Sequence, residues 1–184
     1  MAADELRVRV ARAEDVPELL RLIPRSVRGL SRSHYSPAQI EASIQHVFGP
    51  DTQLIADETY FVVTAGAEIV ACGGWSRRET LYGGDQHKAT ADPLLDPATD
   101  AARIRAFFVD PDFARRGIGS LLMNACMDAA RAAGFRRLEL GATLPGEPLY
   151  ARFGFQALER VDVPMPGGEV LPIVRMTRGL GGME

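Results

Sequence analysis

A chain of 184 residues is long enough to bury one sizeable core, and 46% hydrophobic with 24% charged residues is an ordinary globular balance. The formal net charge of -3 argues against indiscriminate binding to nucleic acid or anionic membrane. The two cysteines, Cys72 and Cys126, make no metal-ligand spacing, no apolar run reaches membrane-spanning length, and the opening residues show no apolar signal region, so one cytoplasmic domain over 1–184 is expected, with no metal.

In chain order, "LRVRV" alternates as a strand does, with Leu6, Val8 and Val10 on one face. Val16, Leu19, Leu20 and Ile23 follow at helical spacing. A second helix starts at "SPAQ", where Ser36 caps, Pro37 suits the first helical position and Gln39 completes a capping box. "TYFVVTAGAEIVACGGW" reads as two antiparallel strands around Gly66. Arg77 to Asp100 carries turn signals over a length that is unusual inside a compact domain, and loops of that kind are often functional. "ARIRAFFV" resumes as a strand. Beyond it comes a helix with Ile118, Leu121, Leu122, Ala125, Ala129 and Ala133 as its apolar stripe and Gly134 as its stop. "RRLELGA", "EPLYARFG", "FQALERV" and "VLPIVRMTR" complete the order β-α-α-β-β-β-α-β-α-β-β, an α/β (α+β) mixed sheet with helices on its faces.

The junction "FFVDPDFARRGIGS" places Gly117 and Gly119 where a strand gives way to a helix. Unpaired N–H groups converge at such a point, the helix dipole adds partial positive charge, and Arg115 and Arg116 add more, which suits a phosphate. No Lys-Ser or Lys-Thr follows the second glycine, so this is not a P-loop. The third glycine of a dinucleotide fingerprint is absent, and "DPDFAR" separates strand from helix where that fingerprint turns directly.

"IRAFFVDPDFARRGIGSLLMNACMDAARAAGFRRLEL" resembles the cofactor signature of the GNAT superfamily, the acetyl-CoA-dependent N-acetyltransferases, and "LYARFGF" is similar to that family's second signature. The first Gln/Arg position of the family pattern is Ala114 here, and Thr143 stands where members often carry an asparagine. The resemblance implies that the backbone of Phe107, Phe108 and Val109 lies along the pantetheine arm, and that the amides of Arg115, Arg116, Gly117, Ile118, Gly119 and Ser120 hold the pyrophosphate. It further implies that Tyr150 is the general acid for the thiolate and that a primary amine of a small molecule or peptide attacks directly, with amides near Val109 polarising the carbonyl. Homodimers are common in that family, so a homodimer is an open expectation. In several relatives a glutamate on the strand before the glycine loop is the base; here Arg103 and Arg105 occupy the charged positions, and Asp110 reads as turn chemistry. His34, Glu79, Asp85 and His87 are the remaining base candidates, and His34, Tyr35 and Trp75 are the expected acceptor-pocket residues. A non-catalytic acyl-CoA sensor acting through a protein partner is the alternative reading.

Overall fold

In the computed structural model, which describes residues 5–88 and 92–181, the edge strand β1 (Leu6–Val10) is outermost, so Val8 and Val10 stay exposed despite their alternation. Helix α1 (Val16–Leu30) buries Leu19, Leu22, Ile23 and Val27, and α2 (Pro37–His46) begins at the expected capping box. There the Gln39 N–H donates to Ser36 Oγ at 3.1 Å and the Ser36 N–H to Gln39 Oε1 at 2.9 Å. A short helix α3 (Thr52–Ala56), absent from the sequence reading, follows because Asp51 caps it, accepting from the Gln53 and Leu54 amides.

Strands β2 (Tyr60–Ala65), β3 (Glu68–Ser76) and β4 (Ala102–Val109) lead to α4 (Ile118–Ala132), then β5 (Arg137–Thr143), α5 (Glu147–Arg152), β6 (Gln156–Pro164) and β7 (Val170–Gly179). The buried stripe of α4 is Ile118, Leu122, Met123, Cys126, Met127 and Ala130, while the expected Leu121 is 39% exposed. The alanines of the predicted stripe are small enough to sit at the margin; methionines and the cysteine fill the centre. Gly134 closes the helix at φ 91°, as its position implies.

The sheet order is β1-β2-β3-β4-β5-β7-β6, antiparallel except at β4–β5. One core packs α1 and α2 against one face, through residues such as Leu22, Ile40, Val62 and Phe108; a second packs α4 against the other, through Met123, Cys126, Leu138 and Leu140. The parallel pairing is confined to Ala102 with Leu138 and Arg103 with Glu139. Beyond Arg103 the two strands part, and the two halves of the sheet open around a cavity.

Candidate active site

The cavity fills that gap. Ile104, Ala106, Phe107 and Phe108 form one wall and Leu140, Gly141 and Thr143 the other, with Tyr150 of α5 between them. Phe48, Gly49 and the segment Leu81–Gly84 close the far end.

Strand β4 does not run straight along this wall. Its register with β3 shifts between Cys72 and Gly74, and Ala106 takes φ 56°, a conformation that a residue with a Cβ adopts at a cost. Two groups hold it from behind: the Tyr60 hydroxyl donates to the Ala106 carbonyl at 3.2 Å, and Cys72 Sγ lies 3.9 Å from the same oxygen. Burial pushes the Cys72 thiol up to about 12, so it remains a neutral donor. The Phe107 ring lies against Gly73, where an added Cβ would come within 2.5 Å of it. The bulge thereby turns β4 toward the cavity. Of the three β4 residues expected along a cofactor arm, Val109 has its N–H donated to Ser26 Oγ of α1 at 3.1 Å, so that amide is not free to polarise a carbonyl.

After β4 the acidic turn folds on itself. Asp110 accepts the Asp112 amide at 2.9 Å, and Arg25 of α1 binds both carboxylates, at 2.9 and 2.6 Å. Asp110 is thus a turn residue, as its sequence context implies. The Ala114 N–H reaches the Pro111 carbonyl and the Leu121 N–H reaches Gly117, but the six amides from Arg115 to Ser120 have no acceptor among the described residues. Arg115 (φ 62°) and Gly117 (φ 78°) are both left-handed, which curls the chain into a cup of donors at the head of α4. Space around the Gly117 Cα is open, with nothing within 4 Å of an added Cβ. Gly119 differs: a Cβ there would sit 2.9 Å from Leu149 Cδ2, so its role is close packing of α4 on α5 rather than clearance for a phosphate. Arg116 lies over the Phe113 ring at 5.0 Å.

Tyr150 is 9% exposed, with its ring 6.1 Å from Phe107 and 6.0 Å from Phe155. Burial raises its phenol well above the usual value, so the hydroxyl keeps its proton and is a hydrogen-bond donor.

The expected acceptor residues are not brought together. His34 is exposed and pairs with Ser33 Oγ at 3.1 Å. The Tyr35 hydroxyl is doubly used, donating to the Pro172 carbonyl at 2.6 Å and accepting the Leu144 N–H at 2.9 Å, so it ties β7 to the end of β5. Trp75 is 3% exposed and packs edge-on against Phe135 in the α4-side core. Among the base candidates, Glu79 is exposed and Asp85 is occupied by the Thr52 amide at 3.0 Å. His87 stacks against Tyr82 at 5.3 Å behind the wall, where burial lowers its pKa.

What the sequence reading missed is the far end. Arg105, 2% exposed, binds Asp51 at 2.9 Å, the Thr80 carbonyl at 3.2 Å and the Gly83 carbonyl. Lys88 reaches the same Asp51 at 2.6 Å. This buried group fastens Leu81–Gly84 across the cavity and sets Tyr82 in its wall. The isolated Asp51-to-Arg105 separation in sequence gives no signal of it.

Among the described residues no group of three His, Cys, Asp or Glu is placed to hold a metal, and no helix is long and apolar enough to cross a membrane. Residues 26–155 match the family model described as the acetyltransferase (GNAT) family. The uncharacterized N-acetyltransferase YafP of Escherichia coli (strain K12) is 24% identical over 164 residues, 89% of this chain and 90% of that protein. The GCN5-related N-acetyltransferase structure from Rhodopseudomonas palustris superposes with a TM-score of 0.70 at 22% identity, covering 97% of this chain and 98% of that one. The PaiA N-acetyltransferase from Thermoplasma acidophilum, solved in complex with coenzyme A, superposes with a TM-score of 0.62 at 13% identity, covering 95% and 99%. The chain belongs to the acetyltransferase (GNAT) family.

Proposed function

We propose, from that family membership, that the protein acetylates a primary amine with acetyl-CoA, the amine attacking the thioester directly. The observation that carries the reading is the cup of six unpaired amides at the head of α4, beside a cavity between parted strands. Donors without acceptors suit a pyrophosphate, because N–H groups and the helix dipole meet it together. The apolar slot between β4 and β5 suits an extended acyl-pantetheine arm. Acetyl-CoA supplies an activated acetyl thioester.

The chain's own residues have three tasks in this reading. Arg115–Ser120 hold the diphosphate, and Phe107 and Phe108 line the arm. The Tyr150 hydroxyl donates to the sulfur as the bond to it breaks. A thiol near 8.5 and a phenol raised above 10 make complete proton transfer uphill, so stabilising the thiolate by a hydrogen bond is the more economical role. The bulge at Ala106, rather than Val109, is the β4 segment suited to orient the acetyl group.

Two measurements test this. Saturating coenzyme A raises the melting temperature of the purified protein, while NAD and ATP do not; no protection by coenzyme A would overturn the cofactor assignment. Amine-dependent release of free thiol from acetyl-CoA then separates an enzyme from an acyl-CoA sensor, which would be protected yet release none.

A further inference from the structure

We propose that the acceptor is a weakly basic amine on an apolar or aromatic group, rather than a polyamine or another polycationic amine; this rests on the acetyl-transfer reading above. The described residues that line the cavity include two tyrosines and no Asp, Glu, His, Lys or Arg. Its far end presents the Phe48 and Tyr82 rings, Leu81 and the backbone of three glycines, Gly49, Gly83 and Gly84. The charged groups nearest it are turned to other work. Asp51 is 0% exposed and bound by both Arg105 and Lys88, Asp85 holds the Thr52 amide, and Glu139 on β5 is held by Arg103 and Arg175. A second ammonium entering this end would lose its water and meet no carboxylate. An aryl or branched apolar group would instead lie between Phe48 and Tyr82 and give up apolar surface to them.

The same wall bears on the proton. A lysine-like amine, with a pKa near 10.4, is on the order of 0.1% neutral at pH 7.5 and needs a base to attack. An α-amine, near 7.7–8.0, is roughly one quarter to two fifths neutral at that pH, so on the order of a few hundred times more of it is ready to react. The nearest imidazole, His87, packs against Tyr82 and Gly83 and does not itself line the cavity, and a wall without a titrating base matches an acceptor that arrives deprotonated. In the reaction the neutral amine nitrogen bonds to the acetyl carbon, the carbon–sulfur bond breaks, and the amine proton leaves to solvent while the sulfur departs as a thiolate hydrogen-bonded by Tyr150.

The test uses full-length protein, acetyl-CoA and two amine sets: phenylalaninamide, leucinamide and aniline against putrescine, spermidine and cadaverine, with thiol release read from pH 6.5 to 9. The expected result is a kcat/KM at least about tenfold higher for the first set, with its rise levelling as each amine loses its proton. Tyr82→Ala should raise KM for phenylalaninamide by more than it lowers kcat, with thermal protection by coenzyme A as the check that the fold and cofactor site survive. Equal or better use of the polyamines would overturn the substrate class while leaving the acetyltransferase reading intact. A KM for phenylalaninamide unmoved by Tyr82→Ala would overturn the assigned subsite. Thermal protection with no turnover on either set would overturn both readings together.

Discussion

Two polar regions flank the cavity and treat their hydrogen bonds in opposite ways. At the head of α4, six amides point away from any acceptor among the described residues, in a segment whose Arg115, Arg116 and Gly117 are exposed. At the other end, Asp51 and Arg105 are buried and Lys88 is half-buried; both cations bind Asp51 and Arg105 also binds loop carbonyls, with Arg105 Nε left without a partner among the described residues. The first arrangement leaves donors open to solvent or to a ligand. The second is nearly closed within the chain and serves to fix the shape of a wall. Donors left over leave room for another molecule; donors used up mark what the chain has built for itself.

The largest effect should come from breaking the second region. Asp51→Ala leaves a buried guanidinium and the Lys88 ammonium without their counter-ion and should cost about 3–5 kcal/mol in urea unfolding. Removing Glu41 from its exposed pair with Arg28 should move the urea midpoint far less. Equal losses would mean that the buried group is no anchor. Next, Tyr150→Phe should lower turnover by about 100-fold or more while coenzyme A affinity changes little; unchanged turnover across the pH range would remove Tyr150 from the chemistry. Gly117→Ala then probes the first region. A left-handed alanine should cost about 1–2 kcal/mol and disturb the cup, so coenzyme A affinity should fall with kcat at saturation nearly kept. If kcat falls instead, the cup has a part in the chemistry as well as in binding.

The smallest effect at neutral pH, and one that grows only in alkali, concerns the prop behind the bulge. Cys72 keeps its proton in the folded chain up to about 12, whereas an unfolded thiol loses it near 8.5. Folding stability from this group is therefore fully present below about pH 8.5 and is lost as pH rises toward 12, by about 1.4 kcal/mol per pH unit. Cys126, Tyr60 and Tyr150 are shifted in the same direction by burial. Urea unfolding between pH 8.5 and 10.5 should show the decline, and Cys72→Ala should make it shallower by one group's share.

The two regions also differ in how readily a sequence reveals them. The cup is contiguous: two glycines, two arginines and a strand-to-helix junction lie within one short stretch, so local chemistry names it. Tyr150 is similarly fixed by its distance from Gly154-Phe155. The far wall is assembled from Phe48, Tyr82 and Gly141, which are neighbours only after the sheet forms. Trp75 illustrates the difficulty, since it lies buried in the α4-side core. Strand alternation gives two faces without saying which is which, and the register shift opposite Gly73 changes the count along β4. The Tyr35 hydroxyl is engaged by Pro172 and Leu144, 137 and 109 residues away in sequence. An arginine in a strand reads as a solvated charge; that Arg105 is buried depends on Asp51, 54 residues away. The α3 helix escaped notice because its only local signal was the Asp51 cap.

The parting of β4 from β5 after two residue pairs has one more consequence. An open strand border on the outside of a protein invites other chains to add to it, and exposed borders are commonly shielded with charge or proline. Here the border is folded inward onto a cavity that Tyr150 of α5 and the segment Leu81–Gly84 help to line. Nothing as thick as a polypeptide sheet can dock there, while a slender, extended molecule can slide along it. The fold thus keeps a sticky seam and screens its visitors by girth.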